Sequence, residues 1–176
     1  MNRKSTTVAY LGMLTALAMI LSYVESLIPM SVGIPGVKIG LANLVVMVAL
    51  YTVGIKWAFA LSMVRIILVG FTFGSMSSMM YSFAGGMLSF LVMVIAKKTG
   101  FFSVRGVSIL GGVFHNVGQI ALAICLVENV KLVFYFPVLL VSGTAAGVAI
   151  GILATMIIVR VKKVYRNDED KMDGAK

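Results

Sequence analysis

Six apolar runs, each about 16 to 28 residues long, make up almost the whole chain, with only short polar or glycine-rich breaks between them. A run of this length matches the ~30 Å hydrocarbon core of a bilayer, which a helix crosses in about 20 residues. The runs therefore read as spanning helices. Composition agrees: 60% of residues are hydrophobic and 12% charged, against roughly 45–50% and 25% in soluble domains. At about 20 residues per helix and ~2–8 per connection, 176 residues hold six helices at most. The expected fold is therefore all-α: a polytopic membrane protein with a six-transmembrane-helix bundle over 1–161 and a charged cytoplasmic tail over 162–176, with no soluble domain.

The runs predict helices over Thr6–Val24, Val37–Val53, Ala58–Phe73, Met79–Ala96, Gly106–Val127 and Leu132–Val159. The first follows Arg3 and Lys4, as in a signal peptide. It is longer than a typical ~7–15-residue signal core, however, and no small-residue cleavage site follows, so it reads as an uncleaved helix. Gly12 and Ala16 form a small-xxx-small pair on it. Such a pair admits a close helix neighbour, either within the chain or in another subunit.

The stretch Glu25–Asn43, ESLIPMSVGIPGVKIGLAN, interrupts this pattern with two prolines, three glycines, Glu25, Lys38 and Asn43. It predicts a loop folding back over the outer face before the second helix. The first N–H groups of that helix, with Lys38, suit an anion; Lys38 reads equally as a lysine reaching for the interface.

Arg65 falls near the centre of the third helix. A midplane arginine costs ~2.5–3.5 kcal/mol on insertion scales and so faces the protein interior or a wet cavity. It reads either as an anion ligand or as a structural donor to backbone carbonyls. In the fifth helix, GGVFHNVGQ carries His115, Asn116 and Gln119. His115 and Gln119 are four residues apart and share a face, while Asn116 points about 100° away. Polar groups at this depth bond either across helices or to a ligand. No metal site is expected, since there is one His, one Cys (Cys125) and no intramembrane Asp. No cofactor is indicated.

The net charge of +9 does not point to nucleic acid, because the cations cluster in short breaks between apolar runs. One set of alternate breaks holds Arg3, Lys4, Lys56, Lys97, Lys98, Arg105 and the basic end after the sixth helix; the other holds only Lys38 and Lys131. The positive-inside rule then places both termini in the cytoplasm and Glu25, Ser75–Ser78 and Glu128 outside.

PGVKIGLANLV, mid-helix Arg65, YSFAGGMLSFLVM and GVFHNVGQ together resemble a bacterial membrane family known as the Gx transporter family or heptaprenyl diphosphate synthase component I. The resemblance runs from the first helix to the sixth. The family is similar in architecture to the substrate-binding S components of energy-coupling-factor (ECF) transporters. That likeness implies six helices, cytoplasmic termini, an outer pocket lidded by the loop after helix 1, and a coupling subunit facing Gly12 and Ala16.

These readings lead to an S-component-like transport protein in the bacterial cytoplasmic membrane that binds a small or amphipathic solute. Lys38 and Arg65 are expected at an anionic group, Asn43, His115, Asn116 and Gln119 as hydrogen-bonding groups, and Glu25 or Glu128 as gate or charge balance. No nucleotide-binding loop is present, so ATP-driven transport needs ECF-type coupling and ATPase subunits. The family's other name implies instead a non-catalytic partner of a prenyl synthase subunit, or a membrane anchor in a quinone or electron-transfer pathway. Prenyl transfer by this chain alone lacks support, because Asp168, Asp170 and Asp173 all lie in the tail and none is placed to hold Mg²⁺ on a diphosphate.

Overall fold

A computed structural model describes the backbone of residues 3–27 and 40–173 and the side chains of 7–27 and 40–163. All regular structure among them is helical: α1 (Arg3–Leu27), α2 (Leu41–Thr52), α3 (Ile55–Thr72), α4 (Met76–Thr99), α5 (Val104–Val127) and α6 (Phe136–Asp173), with a 3₁₀ segment at Val130–Tyr135. Five of these helices are long and apolar enough to cross a membrane. The chain is thus a multi-pass, membrane-type helical protein.

The helix starts follow local chemistry. Ser75 and Ser103 accept hydrogen bonds from the N–H groups of Ser78 and Gly106, which caps α4 and α5. These caps begin α4 three residues and α5 two residues earlier than the apolar runs predict. Lys56 and Trp57, expected in a turn, lie in the first turn of α3. The sixth helix starts later than predicted: 3₁₀ geometry occupies 130–135, and Pro137 takes its usual place in the first turn. At its other end α6 continues to Asp173, through the tail expected to be disordered. That tail carries Lys, Arg, Glu and Met, all good helix formers, and meets no glycine or proline before Gly174.

The largest departure from expectation is α2. It has 12 residues and a length of about 18 Å, too short for the span predicted over Val37–Val53. Gly40 precedes it at φ 75° in the left-handed region, which ends the helix on that side. Pro35, Gly36 and Lys38 lie outside the described residues. Six consecutive residues of α2, Val45 to Leu50, are buried. A helix apolar and buried on every side is surrounded by protein, not lipid. Accordingly α2 packs against α1, α3 and α6 at the centre of the core. Its C-terminal end meets Lys97 of α4, whose ammonium donates to the Leu50 carbonyl and lies 4.7 Å from the Tyr51 ring centroid. A cation there complements the helix dipole.

Glycines join α4, α5 and α6. A Cβ on Gly147 would sit 2.6 Å from Ile109 Cα, and one on Gly151 2.9 Å from Arg105 Cα. Gly112 and Gly143 press backbone to backbone in the same seam. On the other side of α5, a Cβ on Gly85 would sit 2.7 Å from the His115 carbonyl, and one on Gly118 2.7 Å from that of Ala84. Such close approach is the usual basis of helix association in lipid, where dispersion and interhelical hydrogen bonds replace the hydrophobic effect. Ser89 adds one such bond, donating to the Gly111 carbonyl at 2.8 Å.

Candidate functional site

A cavity of about 410 Å³ lies among the helices, and all six contribute to its wall. This volume is within the range of small-molecule sites, ~300–1,000 Å³. At one end are Phe73, Gly74 and Ser75, in the α3–α4 connection. At depth are Arg65, Gly112, His115, Gly143 and Ile150. Arg65 stands seven residues before the end of α3, about 10 Å along the helix. Gly40 packs against Ile150, a Cβ there being 3.5 Å from its Cδ1. Ile150 is fourteen residues along α6, or about 21 Å from its start. The N-terminus of α2 therefore opens inside the bundle, on the wall of the cavity.

Polar groups converge there from separate helices. Glu25, near the end of α1, accepts a hydrogen bond from the Gly40 N–H across fifteen residues. Its carboxylate also acts electrostatically on Arg65. Arg65 Nε is buried and has no hydrogen-bond partner among the described residues. The same holds for the hydroxyl of Ser22, which is only 8% exposed and lines the cavity. Asn43 lies beside Gly40, with its amide nitrogen 3.3 Å from where a Gly40 Cβ would be. Apolar wall comes from Ile66, Val69, Phe73, Met79 and Ile150. An edge-to-face pair of Tyr23 and Phe73, 5.4 Å between centroids, ties α1 to α3 beside it. A polar deep end with apolar walls suits a solute with a charged or polar head and an apolar body.

Of the residues expected from sequence, the cavity brings together Glu25, Asn43, Arg65, His115 and Asn116. Asn116 is already engaged: its amide donates to the Leu139 carbonyl at 2.7 Å and the Ser142 hydroxyl at 3.3 Å, bridging α5 to α6. His115 and Asn116 line the cavity side by side, although helical spacing pairs His115 with Gln119. Gln119 instead is buried against Gly85 of α4. Glu128 is exposed at the far end of α5, with φ 51°, and does not line the cavity. Lys38 lies outside the described residues. Among the described residues, Gly12 is exposed with nothing within 4 Å of a Cβ placed on it, and Ala16 is exposed too. Among the described residues no group of three His, Cys, Asp or Glu gathers as a metal site would.

Sequence reasoning missed the serines. Ser78 and Ser82 line the cavity from α4, Ser75 from its N-cap, and Ser22 and Ser26 from α1. The signal was present: three serines at spacings of three and four fall on one helical face.

The family described as heptaprenyl diphosphate synthase component I matches residues 14–157. No curated protein and no solved structure matches the chain. The matched region runs from within α1 to within α6 and contains every described residue lining the cavity. On that match, this chain belongs to the heptaprenyl diphosphate synthase component I family.

Proposed function

We propose that the chain is a membrane-embedded binding and transport protein, with the cavity as the site of a small or amphipathic solute. The observation that carries this reading is Arg65: a deep arginine, its Nε without a hydrogen bond among the described residues, in a cavity walled by all six helices. A charge at this depth marks a functional site by default. In this reading Arg65 takes the solute's anionic group, Asn43, His115 and the serines offer hydrogen bonds, and the apolar wall holds the rest. The chain crosses the bacterial cytoplasmic membrane six times, with α2, too short to span it alone, lying within the second crossing. Both termini lie in the cytoplasm, and the α3–α4 end of the cavity faces outward. The basic residues support this: Lys56 lies at the start of α3, Lys97 and Lys98 at the end of α4 and Arg105 at the start of α5, and Lys97 reaches the end of α2. This architecture is like that of an ECF S component, and the exposed Gly12–Ala16 face of α1 is where a coupling subunit fits.

A second reading rests on the family's name: the chain serves as a non-catalytic membrane subunit beside a prenyl diphosphate synthase. Both readings meet in one experiment, native mass spectrometry of protein purified in mild detergent. The transport reading predicts a bound small molecule at near-stoichiometric occupancy, absent from Arg65→Leu protein that remains folded. An empty cavity with a co-purifying prenyl synthase subunit would contradict it and favour the second reading. Co-purification with an ATPase module would place the chain in an energy-coupled transporter.

A further inference from the structure

Around the start of α2 the cavity wall holds Gly40, Arg65 and Ser22, and the protein supplies a carboxylate of its own, Glu25. The first N–H groups of an α-helix lack intrahelical partners and carry partial positive charge. At α2, the N-cap Gly40 and Asn43 line the same cavity as Arg65. Glu25 comes from α1 to accept the Gly40 N–H, and it is the one acidic residue among the described lining residues. Yet this carboxylate leaves donors over. Arg65 Nε and the Ser22 hydroxyl are buried without hydrogen bonds among the described residues, and both belong to the cavity lining. Buried donors are normally satisfied, so two orphans beside one bound carboxylate mark a site that is partly filled.

We infer that Glu25 occupies the place of the ligand's own oxyanion, a phosphate or carboxylate head. The ligand enters by exchange, its head taking the donors at Gly40, Arg65 and Ser22 while Glu25 moves away. A phosphate, with three terminal oxygens, satisfies more of these donors than one carboxylate does. Two anions cannot share the site, because like charges at short range in a low dielectric repel strongly. Glu25 therefore acts as a competitor that keeps the α2 terminus and Arg65 compensated when the cavity is empty. The inference rests on the cavity being the binding site proposed above.

The test uses water-soluble probes small enough for the cavity: phenyl phosphate, benzoate and, as cationic control, benzylammonium. Binding is read by calorimetry on the full chain in detergent, with the Gly40 amide resonance as a local reporter. Removing the competitor in Glu25→Gln raises affinity for the anions by about tenfold or more over wild type. Glu25→Asp, whose shorter arm retreats from Gly40, gives a smaller gain and serves if Glu25→Gln fails to fold. Each anion moves the Gly40 resonance, and Arg65→Leu abolishes binding. The preference between phenyl phosphate and benzoate tells which head the site takes. The inference is overturned if folded Glu25 variants bind the anions no better than wild type, or bind neither anion. It is also overturned if benzylammonium binds wild type and is lost in Glu25→Gln, which makes Glu25 a ligand for a cation. If the anion affinities do not respond to Glu25 while a native solute is still lost in Arg65→Leu, exchange fails and the binding site stands. If no solute or probe binds any variant, the site itself fails.

Discussion

The helices α4–α6 and α1–α3 are held together in different ways. In α4–α6 the contacts are backbone on backbone: Gly112 against Gly143, Gly147 against Ile109, and Gly118 against Ala84. In α1–α3 the contacts run through side chains, with α2 enclosed by apolar residues and tied at its two ends by Glu25 and Lys97. The cavity lies between the two sets, and they furnish it differently. The glycine-packed set contributes Gly112, His115, Asn116 and Gly143; the other set contributes Glu25, Asn43 and Arg65. The charges thus sit on the side packed through side chains, facing the glycine-packed wall. A seam of close backbones has little tolerance for change, whereas side chains around a central helix can repack.

This contrast can be broken where it is sharpest. Gly147→Leu forces side-chain atoms into the backbone of α5. It should cost about 3 kcal/mol, the upper part of the usual range for overpacking, seen as a large fall in thermal midpoint in detergent. Asn116→Ala removes the bridge to Leu139 and Ser142 without touching a glycine. Interhelical hydrogen bonds in membranes contribute about 0.6–2 kcal/mol, so a moderate fall in midpoint is expected. Gly12→Val on the exposed face of α1, where a Cβ meets nothing, should change stability by less than about 0.5 kcal/mol. If Gly12→Val destabilised as much as Gly147→Leu, the distinction between the two halves would be wrong. If it left stability intact but broke association with a protein partner, it would locate that partner's surface.

Much of this was legible from residues alone. Long apolar runs define helices because length and hydropathy are properties of the segment itself. Arg65 was legible for the same reason: a charge inside such a run has few places to go. The length of α2 was not, because an apolar run reads alike whether lipid or protein surrounds it, and only the neighbouring helices reveal that Val45 to Leu50 are enclosed by protein. Nor was the division between His115, which lines the cavity, and Gln119, which packs on Gly85. They share a helical face that Gly85 of α4 packs against at both residues, and only His115 also reaches the cavity. The pairing of Glu25 with Gly40 is equally a tertiary fact, since nothing in their spacing requires a carboxylate on one helix to find the start of another.

The central claim is that the cavity holds a solute with its head at Arg65. An experimental map of the protein as purified in mild detergent tests it most directly. The account predicts non-protein density in the cavity, in contact with Arg65 and bounded by Asn43 and His115. A cavity closed by its own side chains, or filled by a lipid tail that makes no contact with Arg65, would contradict it.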